Sequence, residues 1–132
     1  MEASELRIGN LLNFDDLNGY ISIEKIISIC KEYEVYWCET ENFEGELLSA
    51  FQPIPLTEEW LIKFGGQKDR NKDIYISVNK DNDLRIYLSK VGILICKDYF
   101  CPLFGYPHII HVHQLQNLFY AITGEELKTV SQ

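Results

Sequence analysis

Apolar residues along this chain recur with two periods, and the switches between them mark out its elements. "ELRIGNLLNF" carries Leu6 and Ile8 in alternation, followed by Leu11 and Leu12, and predicts a first strand. "DDLNG" then gathers turn formers, with Asn18-Gly19 as a tight-turn signal. From Tyr20 the odd positions run Ile21, Ile23, Lys25, Ile27, Ile29, Lys31, Tyr33, Val35 and Trp37. This sustained period of two predicts strands over about 20–30 and 33–39, with a turn near Lys31-Glu32 and the lysines marking bulge or turn points. Four neighbouring glutamates, Glu39, Glu41, Glu44 and Glu46, follow in a loop.

"FQPIPLTEEWLIKFGG" changes the period. Pro53 and Pro55 hold the chain extended, and Thr57 is a good N-cap ahead of Glu58 and Glu59. Leu56 and Leu61 have the spacing of a hydrophobic staple, and Gly65 can supply the left-handed residue that ends the helix. Trp60, Leu61 and Phe64 form its inward stripe. Strands are then predicted around Ile74–Val78, Leu84–Leu88 and "ILICKDYF", separated by the turn "NKDND". They make a three-stranded antiparallel meander with one apolar face, while Tyr75 and Tyr87 on the other face can pair across strands.

The closing stretch, "HIIHVHQLQNLFYAITG", holds all three histidines of the chain within six residues. A helix starting at Pro107 would put His108 and His111 on the apolar stripe of Leu115, Leu118, Phe119 and Ile122. A strand over about His108–Val112, then a helix over about His113–Thr123 closed by Gly124, avoids that conflict. In this helix His113, Gln116, Asn117 and Tyr120 cluster opposite the apolar stripe. A solvated helix face usually carries Lys and Glu. An uncharged, partly aromatic one suits a covered surface, so these four residues form the candidate interaction face. What covers it is the N-terminal module, another subunit or a partner protein.

The predicted fold class is α+β. An N-terminal antiparallel β module (1–52) resembling a small SH3-like partial barrel precedes an α/β module (53–132) of helix, meander, short strand and C-terminal helix, the two sharing one core in a compact domain.

Charge and composition narrow the function classes. The net charge is −8, and residues 1–60 hold thirteen Asp/Glu against three Lys/Arg, a net of −10. An acidic front half repels phosphate, which disfavours nonspecific nucleic-acid binding and leaves either a solubilising surface or a docking face for a basic protein. "MEASELRIGN" lacks the features of a secretory signal, and no apolar run approaches the roughly 20 residues needed to span a bilayer. A cytoplasmic location without membrane contact is expected, with Cys30, Cys38, Cys96 and Cys101 as thiols.

Candidate chemistry is thin. Cys96, Cys101, His108 and His111 have zinc-compatible donors, but their spacing matches no standard finger and Cys96 falls mid-strand as an ordinary core residue. Cys101 near His108 lacks a recognisable oxyanion hole or orienting acid. No Walker loop, GxGxxG, HExxH or GxSxG pattern occurs. No catalytic residue, metal or cofactor is therefore expected. A small zinc protein or hydrolase using Cys101, His108 and His111 is kept as the first alternative. An acidic inhibitor of DNA-acting enzymes is the second, and it needs the carboxylates from Glu32 to Glu46 in a regular array.

Three blocks, "ELRIGN", "QPIPLTEEWLIKFG" and "VHQLQNLFYAITGEEL", occur in that order. With them the chain resembles a group of small proteins encoded in gut anaerobes and their phages and mobile elements. The group has no established activity, so the resemblance implies context and not mechanism. His113 matches its pattern ahead of "QLQN", whereas His108 and His111 depart from it, which weakens a metal site built on those two. The leading expectation is a non-enzymatic accessory protein of phage or mobile-element origin, acting through contact with an unidentified protein partner or as a homo-oligomer.

Overall fold

Among the described residues the chain forms two antiparallel five-stranded sheets, two α-helices and two 3-10 turns. The computed structural model describes residues 1–79, 84–90, 92–97 and 101–130, with 101–104 described by backbone alone. The turn expected at "NKDND" lies largely outside the described residues. The chain divides into two compact units, Met1–Pro55 with His111–Asn117, and Leu56–Ile110 with Leu118–Gln132. The first part of the closing helix thus groups with the N-terminal strands.

In the first unit β1 (Leu11–Asp15), β2 (Ile21–Glu32), β3 (Val35–Thr40), β4 (Glu46–Leu47) and β5 (Phe51–Gln52) lie in the order β4-β3-β2-β1-β5. A 3-10 turn (Leu48–Ala50) joins β4 to β5. Its core is Leu12, Phe14, Ile26, Cys38 and Phe51, with Phe43 and Leu48 packed against it. The Phe14 ring stands 4.3 Å from that of Phe43 and 5.1 Å from that of Phe51.

Three boundaries in this unit differ from expectation, each for a local reason. Glu5–Asn10 is not strand: Ala3–Glu5 is a 3-10 turn, and Gly9, at φ 100°, closes a second turn in which Asn10 Oδ1 accepts the Arg7 N–H. The β1–β2 connection is a five-residue loop, not a two-residue Asn-Gly turn. Asp15 and Asp16 carboxylates cap the N–H groups of Leu17, Asn18 and Tyr20 and hold the loop wider. The β2–β3 turn falls at Tyr33-Glu34, both left-handed at φ 53° and 66°, the geometry that matches strand twist in a two-residue hairpin.

In the second unit α1 (Glu58–Lys63) buries Trp60, Leu61 and the following Phe64, as its stripe predicts. Thr57 takes the extended N-cap conformation, though its hydroxyl forms no capping bond. The C-terminus closes with a Schellman pair, Gly66 N–H to Leu61 O at 2.7 Å and Gly65 N–H to Ile62 O at 2.9 Å, with Gly65 at φ 88°. A side chain on Gly66 would stand 2.6 Å from Leu61 O, so the pair needs glycine there.

The meander has five strands where three were expected. β6 (Gln67–Lys68), β7 (Ile74–Ser77), β8 (Leu84–Ser89), β9 (Gly92–Lys97) and β10 (Cys101–Tyr106) run in sequential order. β10 escapes the pattern because Pro102 and Gly105 interrupt it, and a bulge between Pro102 and Phe104 accommodates the proline. Tyr75 and Tyr87 do pair across β7 and β8, with ring centroids 5.4 Å apart. Their face is buried too: Arg85, 2% exposed, lays its guanidinium 4.0 Å over the Tyr75 ring and donates to Tyr87 Oη.

The strand expected over His108–Val112 is absent. Pro107-His108 is a turn, and only His111 makes a single bridge, to Pro55. α2 (Val112–Thr123) starts one residue before His113. The reason is a half capping box: Gln114 Oε1 accepts the N–H of His111, the residue before the helix, while His111 O accepts the Leu115 N–H.

Candidate interaction surface

The four residues singled out on the last helix part company. His113 and Gln116 are buried, Asn117 is half-buried and Tyr120 is exposed. Residues 5–11 of the same unit meet Gln116 and Asn117. Gln116 Oε1 accepts the Leu11 N–H at 2.9 Å and its Nε2 donates to Gly9 O at 3.1 Å. The side-chain amide thus takes the place of a neighbouring strand at the start of β1. Asn117 Oδ1 accepts from Asn10 Nδ2 at 2.8 Å, and its Nδ2 donates to Glu5 O at 2.8 Å. Uncharged amides suit this position because each offers both a donor and an acceptor to buried backbone.

His113 is the exception. It is 1% exposed, and neither ring nitrogen has a hydrogen-bond partner. Its ring stacks on that of His111, with centroids 5.9 Å apart. Burial pushes its pKa below the ordinary imidazole value, and the neighbouring His111 and N-terminal amine push the same way against Glu5. The side chain is held neutral.

The other histidines do not extend a site. His108 is exposed and sits edge-on to Tyr106, with ring centroids 5.8 Å apart. The Cys101 side chain lies outside the described residues. Cys30, Cys38 and Cys96 are free thiols, and burial raises the pKa of the Cys38 and Cys96 thiols. Among the described residues no group of three His, Cys, Asp or Glu could hold a metal ion, and no helix is long and apolar enough to cross a membrane.

The second unit has an open cavity of about 600 Å³ lined by Glu58, Asp69, Asp73, Tyr87, Lys90 and Cys96. Asp69 is engaged as a turn cap, its Oδ1 accepting the N–H groups of Asn71 and Asp73. Its carboxylate also meets the Tyr87 hydroxyl. These groups serve the loop that joins β6 to β7.

The sharper surface feature was not anticipated from the sequence. In the first half of β2 Glu24 and Ile26 point inward, while Ile21, Ile23 and Ile27 are 61%, 49% and 38% exposed and Lys25 is exposed between the last two. A bulge at Ile27, where Ile26 pairs Thr40 and Ser28 pairs Glu39, then reverses the alternation. Beyond it Cys30 shares the outward face with its partner Trp37, and Trp37 with Leu47. Val35 and Leu47 are exposed there as well. The result is a largely apolar ridge along β2, interrupted by exposed Lys25, and a second apolar group on β3 and β4 beyond the Ser28–Glu39 pair.

The inward Glu24 explains how the ridge is tolerated. It is 4% exposed and accepts bonds from Thr40 Oγ1 at 2.9 Å and Asn42 Nδ2 at 3.0 Å. Thr40 in turn accepts the Phe43 N–H, so this carboxylate fixes the β3–β4 loop and locks the register of β2. Around the ridge stand Glu32, Glu34, Glu39, Glu41 and Glu44, all exposed. At its far end lies a groove of about 480 Å³, lined by Glu34, Val35, Tyr36, Leu47, Leu48 and Phe51 among others.

Compared with protein-family models, curated proteins and solved structures, the chain matches none.

Proposed function

We propose that this chain is a non-enzymatic accessory protein of a phage or mobile element, and that it works by holding another protein on the outer face of its N-terminal β unit. One observation carries the reading: Ile21, Ile23 and Ile27 are exposed on one face of β2, with Val35 and Leu47 exposed on β3 and β4. Isolated exposed apolar residues are commonplace, but three isoleucines exposed on one strand face, interrupted only by Lys25 and bordered by charge, suit an interaction surface. The resemblance of the three sequence blocks to proteins of phages and mobile elements supplies the context.

The test is a set of isoleucine-to-threonine replacements at 21, 23 and 27, which keep β propensity while removing the apolar ridge. The wild-type chain and this variant are each used to capture partners from the native host. The expected result is a discrete partner retained by the wild type and lost by the folded variant. A partner retained equally by both overturns the proposal.

A further inference from the structure

The chemistry of this surface narrows what it can hold. Of the charged side chains in residues 1–55, eleven are acidic and three are basic, Arg7, Lys25 and Lys31. Lys31 is already engaged, with Nζ 3.3 Å from the Glu34 carboxylate and 5.5 Å from the centroid of the Tyr36 ring. Arg7 reaches the carbonyls of Ile8 and Gln116. Lys25 is exposed among the isoleucines of β2, while the exposed glutamates at 32, 34, 39, 41 and 44 make the field about the groove and the β3–β4 side predominantly negative. A second copy would bring like charges together around the two ridges. Nucleic-acid phosphate and anionic lipid meet the same repulsion.

The backbone favours an extended occupant. β4 pairs only with Trp37 and Cys38, so the Val35-Tyr36 end of β3 forms an edge of the sheet beside the groove. A strand added there would place alternate side chains in the groove and the others among the glutamates. Resting on the contact reading above, we propose that the occupant is an extended Lys/Arg-rich segment of another protein with apolar residues at alternate positions. It seats on the edge of β3, with the apolar residues in the groove between Tyr36, Leu48 and Phe51.

The probes are synthetic peptides of about twelve residues, long enough to span the edge and groove. One alternates Lys and Leu, a second alternates Glu and Leu, and a third alternates Lys and Ser. Each is titrated into the full chain by calorimetry. The Lys-Leu peptide is expected to bind at least about tenfold more tightly than either control, and to weaken by about tenfold between about 50 and about 300 mM salt. The double variant Glu34→Lys with Glu39→Lys should weaken it by a further factor of about ten. The double variant Glu58→Lys with Glu59→Lys, of equal net charge, should leave binding unchanged.

Equal binding of the Glu-Leu peptide, or equal loss in the two charge variants, overturns the proposal. So does a salt-insensitive dimer of the chain that excludes the peptide. If the threonine variant loses its native partner while the Lys-Leu peptide fails to bind, the contact reading stands and the basic-segment proposal falls.

Discussion

Gln116 accepts the backbone N–H of Leu11 and donates to the carbonyl of Gly9, so one side-chain amide completes the start of β1 across more than a hundred residues of chain. Both partners are half-buried backbone groups. Gln116→Leu keeps the volume and loses both bonds. It should cost about 1–2 kcal/mol, the sum of two part-buried bonds. Amide exchange at Leu11, compared between the wild type and the variant, reads this locally. Unchanged protection at Leu11 would show that the amide is not what holds the segment.

His113 gives the chain an acid sensitivity whose sign follows from its burial. Its pKa lies below the ordinary value near 6.5 because the folded unit disfavours the imidazolium. In the unfolded chain the imidazole takes up a proton as pH falls through that value, while in the folded chain it does not. The unfolded state then binds more protons, so stability is greatest above about 6.5 and declines below it until the folded pKa is reached. His113→Leu removes the titration and the two unpartnered nitrogens. Denaturant midpoints measured from pH 7.5 down to pH 5 should fall less steeply in the variant, with neutral-pH stability equal or higher. Parallel pH profiles for the two chains would contradict this.

Glu24 is expected to matter more for stability than its charge suggests. Glu24→Ala strips Thr40 and Asn42 of a shared acceptor and leaves a hole beside the core. A loss of about 2–3 kcal/mol is expected, with faster amide exchange at Phe43, whose N–H bonds Thr40 Oγ1. Wild-type exchange at Phe43 in this variant would mean the β3–β4 loop is fixed by other contacts.

The thiols offer a check on burial. Cys30 is exposed, whereas Cys38 is buried and its thiol pKa is raised by desolvation and by neighbouring Cys30. Alkylation of the native chain followed by peptide mapping should modify Cys30 well before Cys38. Comparable rates at the two positions would show that β3 opens as readily as the surface.

How far the sequence reveals all this depends on the kind of signal. α1 was legible because cap, stripe and C-terminal glycine all agree, and the structure returns Trp60, Leu61 and Phe64 to the core together. The Tyr75–Tyr87 pair was legible because register in a meander follows from alternation. β10 was not, since Pro102 and Gly105 erase the strand pattern and only pairing with β9 restores it. The ridge on β2 was hidden for a deeper reason. A period of two says that alternate residues share a face, and it does not say which face is buried. Glu24, between Ile23 and Lys25, reads as solvent-facing, yet Thr40 and Asn42 supply the bonds that make it an inward residue. The polar face of α2 drew notice from its composition alone, but the donors and acceptors it meets on residues 5–11 lie over a hundred positions away.

Replacing the ridge isoleucines should leave the fold almost untouched. Ile21, Ile23 and Ile27 point outward, so threonine at these positions should lower the unfolding free energy by no more than about 0.5 kcal/mol per site. A larger loss would place these side chains inside the fold and remove the ridge from consideration as a contact surface.

Site-specific photocrosslinking tests the central claim most directly. A photoreactive amino acid is placed at position 23 on the ridge or at position 122 on α2, both exposed in this chain, and each chain is irradiated in the native host. The account predicts a discrete heteromeric adduct from position 23 only, suppressed by added Lys-Leu peptide. An adduct from position 122 with none from position 23, or only adducts between copies of the chain, would contradict it.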